Sequence, residues 1–515
     1  MNKKIIYTAI AIPGSGKTKA ALAAIPGMLS LGKKVLFVAP TFALADQVFD
    51  DISNISSSIK PIKVDSRNGV MAEATLNKML NPKESKYFII CQHASFQKCS
   101  TTYLGSWTII IDELPMPINL RHATFDNTQL RRLELVENIG GQLQIKNNMQ
   151  EPIKNEINTF NKDNGMYNNK INSTLAASTH DIYKAIVNKT PVFVDTTQNK
   201  NGESNSNKDN PKTIIRIIEE YGFFERFHAA REVHLLSATL DGSLFDWFAR
   251  ANGFTYEKSS FAPNNVKNCK DVTIYPMLSD DNYCSRGVLD SVDATSDEGH
   301  KTLYSITKLI DSHLGDEQKC LMFSYNWGQQ AHGNKFTQCK IDSRGLNNFS
   351  HTHNAFMIFH GNPTPIARRS LEFIAQKYNG SIAELERAWK FTHKLEMTLQ
   401  NAFRTSLRNK ETNEPVNLYV QDSETAQFFQ NTYLPDAILD DSLAKTYKVK
   451  KIPGPAPHPA KDRALELLKA GMKQVDVARI TGLNKMTISN YAKTLRPTIT
   501  STSNSKSLNT LEEWL

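Results

Sequence analysis

The sequence predicts a mixed α/β fold: a doubly wound body of parallel sheet, followed by a small all-α unit. Three observations carry this. An apolar run, residues 5–10, breaks directly into a glycine-containing turn and then a helix-type segment. Further strand-type runs at 33–41, 87–91 and 107–111 recur with helix-type stretches between them, which is βαβ order. Finally, residues 448–459 hold four prolines (Pro453, Pro455, Pro457 and Pro459), and the segment beyond them is helical in pattern.

A chain of 515 residues exceeds what one core supports, and about three domains are expected. At 40% hydrophobic and 22% charged residues, its composition is that of a soluble globular protein. No apolar run approaches the ~20 residues that cross a bilayer. The first strand begins within four residues, so no targeting segment is expected there. Six cysteines (Cys91, Cys99, Cys269, Cys284, Cys320 and Cys339) form no C-x-x-C pair and no zinc spacing, which fits reduced thiols and a cytoplasmic setting. The net charge of +9 makes polyanions plausible partners.

The turn after the first strand reads Ala11-Ile12-Pro13-Gly14-Ser15-Gly16-Lys17-Thr18. A buried strand that breaks into a turn ending Gly-Lys-Thr is a phosphate-binding loop. Its glycines let backbone N–H groups crowd around phosphate oxygens. Pro13, Gly14, Ser15, Gly16, Lys17 and Thr18 are the expected ATP-binding residues. Lys17 is expected at the β/γ-phosphates, and the Thr18 hydroxyl on Mg²⁺. The helix from 19 to 25 aims its positive end at the same anion. The fourth strand ends in Asp112-Glu113, where open α/β sheets place their ligands. Asp112 is expected to hold Mg²⁺ through water, and Glu113 to orient and deprotonate an attacking water.

Together these stretches resemble the superfamily 2 helicases. Pro40-Thr41-Phe42-Ala43-Leu44-Ala45-Asp46-Gln47 is similar to motif Ia, and Asp112-Glu113-Leu114-Pro115 to the D-E-x-x box. The Ser237-Ala238-Thr239 run resembles motif III, Leu321-Met322-Phe323-Ser324 motif IV, and Asp342-Ser343-Arg344-Gly345-Leu346-Asn347 motif V. Residues 400–408, from Gln400 to Arg404 and Arg408, resemble motif VI, with Phe403 in place of a glycine and the second arginine one residue late.

The resemblance implies two RecA-like domains that close on ATP. Ser237, Ala238 and Thr239 would couple nucleotide state to movement. Pro40, Thr41, Arg344 and Gly345 would contact the nucleic acid. On a helix Arg404 and Arg408 would share a face, four residues apart. With Lys17, Glu113 and Gln400 they complete the expected catalytic set, Arg408 favoured as the arginine finger. Asp112-Glu113-Leu114-Pro115 is not D-E-A-D, and no upstream adenine-reading motif precedes the phosphate loop, which weighs against an RNA-remodelling reading.

The D-E-x-x box (motif II) and motif III stand more than 110 residues apart, so residues 115–230 are expected to be an insertion in a first domain of 1–262. Its ends, 127–138 and 212–220, have helical, mixed-charge character. Residues 196–212, polar and nearly free of apolar side chains, are expected to be a disordered loop. A second RecA-like domain follows at 263–447, with a buried strand at 354–360 and a charged helix at 381–394 leading into motif VI.

Beyond a linker at 448–460, residues 461–496 divide into three helices, 463–470, 474–481 and 485–493. Gly471 and Gly482 end the first two, and Asn484 caps the third. Leu465, Leu468, Val475, Ala478, Ile480, Leu483, Ile488 and Tyr491 are the expected core. The unit resembles the helix-turn-helix of resolvases and invertases, which places the third helix in the major groove. Lys485, Met486, Thr487, Ser489, Asn490 and Lys493 are the candidate base and phosphate contacts. Eight basic residues against three acidic ones give this unit a net +5. Residues 497–515 form a polar tail ending in an acidic-apolar peptide, a possible docking tag for another protein.

The expectation is therefore an ATP- and Mg²⁺-dependent DNA helicase or translocase, in replication or recombination of a phage or plasmid. An RNA helicase, or a DNA-binding regulator that ATP switches without unwinding, are the alternatives.

Overall fold

A computed structural model describes residues 4–68, 71–84, 87–126, 128–162, 170–196, 212–263, 271–328, 331–339, 341, 349–408, 414–448 and 460–494. They fall into two compact units, 1–449 and 450–515. The expected loop at 196–212, motif V, most of the linker and the tail lie largely or wholly outside the described residues.

In the first unit, β1 (Lys4–Ile10), β2 (Lys34–Ala39), β3 (Ile62–Lys63), β4 (Phe88–Gln92) and β5 (Trp107–Asp112) appear where the apolar runs predict them. After them come β6 (Ile118–Phe125), β7 (Val136–Ile139), β8 (Gln142–Ile145), β9 (Val192–Thr196) and β10 (Thr213–Glu220). Then β11 (Glu232–Ser237) and β12 (Phe254–Lys258) join β1–β5 in a seven-stranded parallel sheet, ordered β12-β1-β11-β5-β2-β4-β3. Such sheets are covered on both faces, and β2, β4 and β5 are accordingly apolar and buried almost throughout. The helix after β1, Lys17–Ser30, passes through Pro26 and outruns the expected end at residue 25. Buried Ala21, Leu22 and Ile25 hold its inner face.

Strands β6–β10 form a separate antiparallel sheet, ordered β6-β10-β9-β8-β7. The helical expectation for its ends is wrong. Residues 129–133 form only a short 3-10 turn before β7, and Thr213–Glu220 is a strand. The β-branched run Thr213-Ile214-Ile215, with Ile217 and Ile218, pairs along its length with β6, and five of its residues pair with β9.

The third sheet is again all parallel. It contains β13 (Val272–Leu278), β14 (Cys320–Phe323), β15 (Phe336–Cys339), β16 (Asn354–Met357), β17 (Val416–Asp422) and β18 (Ile438–Leu439), ordered β15-β14-β16-β17-β13-β18. The fold is thus mixed α/β with two parallel sheets, as two RecA-like domains require.

Between β16 and β17 the chain leaves the third sheet. Helices Pro365–Lys377 and Ile382–Lys390 bury Leu371, Ile374, Ala375, Leu385 and Ala388 in the core of the first sheet. There Arg216 of β10, itself buried, grips Asp195 of β9 at 2.5 and 3.1 Å and donates to the Ser370 hydroxyl at 3.2 Å. Glu220 accepts from Lys377 at 2.8 Å and from Tyr378 at 2.7 Å. The expected helix at 381–394 instead loosens into a π-helical turn, Phe391–Glu396, before Met397–Ala402. Lys394 on that turn is not a surface charge; it is 2% exposed and pairs with Asp422 and Glu424.

The second unit holds helices Lys461–Lys469, Gln474–Thr481 and Lys485–Thr494. Its core is Ala464, Val477, Leu483 and Ile488, with Leu467, Leu468, Ala478 and Tyr491 against it. Val475 and Ile480, expected inside, are 61% and 53% exposed. The middle helix turns Val477 and Ala478 inward, leaving those two on its outer side. No described helix is long and apolar enough to cross a membrane.

Candidate functional site: a cleft between two parallel sheets

The order β1-β11-β5-β2 sets four strands side by side, and their carboxyl ends carry the phosphate loop, Ser237-Ala238-Thr239, Asp112-Glu113 and Pro40-Thr41. Sequence-distant residues therefore share one sheet edge. A cleft of about 340 Å³ opens there, within the range of small-molecule sites.

Gly14 and Gly16 sit at φ +80° and +93°, conformations that L side chains rarely adopt, and Gly16 caps the following helix. A Cβ on Gly14 would also come within 2.9 Å of the Arg408 side chain. Pro13, Gly14, Lys17 and Thr18 line the cleft, while Ser15 is buried, its amide donating to the Ile12 carbonyl at 3.2 Å. The Lys17 ammonium donates to the carbonyls of Ala11 and Ile12 at 2.6 and 3.1 Å. Burial pushes its pKa down to about 8, against the pull of Asp112 and Glu113, and Arg408 adds to the lowering.

The Thr18 hydroxyl donates to Asp112 at 2.7 Å. Asp112 is buried, which raises its pKa, while Thr18 and Lys17 oppose the rise. Its backbone carbonyl meets Nε2 of His93 at 3.0 Å, so that nitrogen carries the proton. Glu113 stands at φ +61°, rare for a residue with a side chain, and its amide donates to the Leu236 carbonyl at 2.8 Å. Glu113 lines the cleft wall.

This donor set fits a nucleoside triphosphate with Mg²⁺. The cradle is open where a Cβ would intrude, an ammonium is held at the loop, and a hydroxyl–carboxylate pair offers hard oxygen ligands.

The opposite wall comes from the third sheet's half of the unit: Gln400, Phe403, Arg404 and Arg408. The two arginines do not share a helix, contrary to expectation. The helix ends at Ala402, Arg404 lies in the turn beyond it, and Arg408 ends a 3-10 turn, Ser406–Arg408. The chain turns back on itself, and both side chains still reach the cleft. Phe403 has φ −80° and is 2% exposed in the core of the third sheet, so no glycine is needed at that position.

Ala43, Leu44 and Gln47 also line the cleft, and the sequence reading gave them no role there. Their place on the first turns of the helix Phe42–Ile55, directly after a strand end, is the signal that could have found them. Thr41 caps that helix, accepting from the Leu44 amide at 3.3 Å. Ser237 accepts the Ala11 amide at 3.1 Å through its carbonyl, and its hydroxyl accepts the Thr239 amide at 3.3 Å.

Arg344 and Gly345 lie outside the described residues. In the second unit Asn484 caps the third helix as expected, accepting from the Thr487 amide at 2.8 Å and hydroxyl at 3.0 Å. Lys485 and Met486 are exposed, and Ser489 is half-buried. Asn490 and Lys493 fall on the same helix, their side chains outside the described residues.

Residues 2–122 match the family model of the DEAD/DEAH box helicase. Among solved structures the chain is similar to an XPD helicase at 12% identity, over 85% of this chain and 96% of that one, with a TM-score of 0.49. It is similar to Xpd4 of S. tokodaii at 10% identity, over 85% and 96% of the two chains, with a TM-score of 0.38. It is similar also to Mss116p bound to ssRNA and AMP-PNP, at 11% identity over 96% and 78%, with a TM-score of 0.31. No curated protein matches it in sequence. Residues 2–122 thus form a DEAD/DEAH box helicase domain, and the chain is an ATP-hydrolysing enzyme.

Proposed function

With an ATP-hydrolysing helicase domain as the premise, we propose that the chain is a DNA helicase or translocase, working in replication or recombination. The observation that carries the motor reading is the two-sided cleft. Gly14, Lys17, Thr18, Asp112 and Glu113 face Gln400, Arg404 and Arg408 across it.

Bound Mg²⁺ would supply charge neutralisation at the phosphates, held by Thr18 and Asp112. The loop amides and the Lys17 ammonium bind the phosphates. Glu113 orients the attacking water and accepts its proton. Arg408, with Arg404 beside the phosphate or the motif II acid, stabilises charge as it shifts to the leaving oxygen. Because those arginines come from the other half of the unit, hydrolysis depends on how the two halves face one another.

The proposed division is 1–262 and 263–447 for the two RecA-like domains, with 115–230 inserted in the first. Pro40, Thr41, Arg344 and Gly345 are the proposed strand contacts. DNA is favoured over RNA by the C-terminal unit, a resolvase-like helix-turn-helix with a net +5. Lys485, Thr487, Ser489, Asn490 and Lys493 would contact the duplex. One such unit reads few base pairs, so it tethers the motor more than it selects a site.

The test is strand displacement by the full chain on partial duplexes of DNA and of RNA, with ATP hydrolysis followed in parallel and Lys17→Ala as control. The reading expects ATP-dependent opening of DNA duplexes and none by the Lys17→Ala chain. Opening of RNA alone would overturn the substrate assignment. Hydrolysis without displacement, joined to nucleotide-dependent duplex binding, would favour a switched regulator.

A further inference from the structure

We infer that Tyr433 is a positioning residue that carries the state of the nucleotide cleft into the second lobe, the half of the unit built on the third sheet; the inference rests on the motor reading above. Its hydroxyl donates to the Ala238 carbonyl at 2.7 Å. The preceding carbonyl, of Ser237, accepts the amide of Ala11 at the root of the phosphate loop. One strand end, that of β11, is therefore held on one side by the loop and on the other by Tyr433.

Tyr433 belongs to the second lobe. It follows the helix Ser423–Thr432, which follows β17, and it lies against the core of the third sheet. Its ring meets Phe428 with centroids 5.7 Å apart, and Phe428 meets Phe391 edge-on at 5.5 Å. Phe391 opens the π-helical turn Phe391–Glu396, and the helix beyond that turn carries Gln400 and leads to Arg404. Contacts thus join the phosphate loop, through Ala238, Tyr433 and Phe428, to Phe391, and from there the chain itself runs through the helix to the arginines on the far wall. Helical irregularities of the π type recur at functional sites.

Two details favour a contact that changes over one that is merely structural. Burial, with Glu396 and Asp241 nearby, holds the Tyr433 phenol above its ordinary pKa, so it stays a donor across the physiological range. The Thr239 hydroxyl, beside the accepting carbonyl, is buried with no hydrogen-bond partner among the described residues. The end of β11 therefore has a polar group that another arrangement of the lobes could satisfy. Motif III is the part of the resemblance assigned to coupling; Tyr433 is the residue that would receive the signal on the other side.

The experiment is Tyr433→Phe in the full chain, which keeps the ring and removes the donor. Nucleotide affinity, basal turnover, and turnover stimulated by single-stranded DNA are measured against wild type. Tyr419→Phe, which also deletes a buried hydroxyl of the third sheet, is the structural control; that hydroxyl meets His313 at 2.9 Å, away from the cleft. Tyr433→Phe is expected to keep affinity and basal turnover within about twofold and to lose about tenfold in stimulated turnover, a typical coupling energy. Tyr419→Phe is expected to keep all three. Retained stimulation in Tyr433→Phe, a parallel fall in its affinity and basal turnover, or equal loss in Tyr419→Phe would each overturn the inference. A wild-type chain that DNA and RNA alike fail to stimulate would overturn the motor reading itself, and this inference with it.

Discussion

The two parallel sheets of the first unit are built alike but furnish the cleft with different chemistry. The seven-stranded sheet ends its central strands in loops whose groups suit an anion and a cation: Gly14 and Gly16 at positive φ, Lys17, and the Thr18–Asp112 pair. The six-stranded sheet has no such loop among its described residues. It meets the cleft with Gln400, Phe403, Arg404 and Arg408. The same layered architecture can therefore serve as a binding half or as a completing half. What separates the two is the few residues at strand ends, which is where open sheets carry function.

Glu113→Gln is expected to break the binding half most severely without emptying it. The amide cannot accept the water's proton, so turnover should fall by about 10²–10⁴ while nucleotide affinity holds within a few-fold. Steady-state kinetics with a parallel binding titration checks this.

A second prediction concerns how the halves are held together. Arg216→Ala removes the main partner of Asp195, leaving Arg369 at 3.4 Å among the described residues, and releases Ser370. Removing one partner of a fully buried ion pair costs about 3–5 kcal/mol, and because Asp195 is only part-buried and keeps Arg369, the loss should fall below that range. Denaturant unfolding of the full chain should show it, and Arg216→Lys should recover only part, since a lysine lacks the planar fork that holds Asp195 and Ser370 together.

The smallest effect sharpens the account of Lys17. Burial holds its pKa near 8, below the ordinary 10.5. The cost of burying its charge is therefore present below pH 8 and is relieved as the pH rises from 8 towards 10.5. A triphosphate raises that pKa again. Nucleotide binding at pH 9 should take up a proton, read by calorimetry in buffers of different ionisation enthalpy, and Lys17→Arg should abolish the uptake. Uptake that persists in Lys17→Arg would assign the proton to another group.

The binding half was legible in the sequence because its chemistry is local. A strand, two glycines, a lysine and a threonine lie within fifteen residues, and a carboxylate pair closes an apolar run. The completing half was legible only as a motif. Nothing in the spacing of Arg404 and Arg408 announces that the chain leaves the helix at Ala402 and turns back. Thr213–Glu220 was misread because its charges resemble a helix surface, although its isoleucines are β-branched and favour a strand. The helices at 365–390 show a further limit. Their apolar faces are visible in sequence, but which sheet covers them is decided by packing across the molecule. In the C-terminal unit, the positions of all three helices were readable, while the phase of the middle one was set by Val477 and Ala478.

The most direct test of the central claim, that the cleft is completed from the opposite half, is single-turnover ATP hydrolysis by Arg408→Ala beside its nucleotide affinity. The account predicts a loss of about 10³-fold or more in hydrolysis, as for other arginine fingers, with affinity changed by a few-fold. Hydrolysis within tenfold of wild type would contradict it, and would leave the first sheet as the whole of the catalytic apparatus.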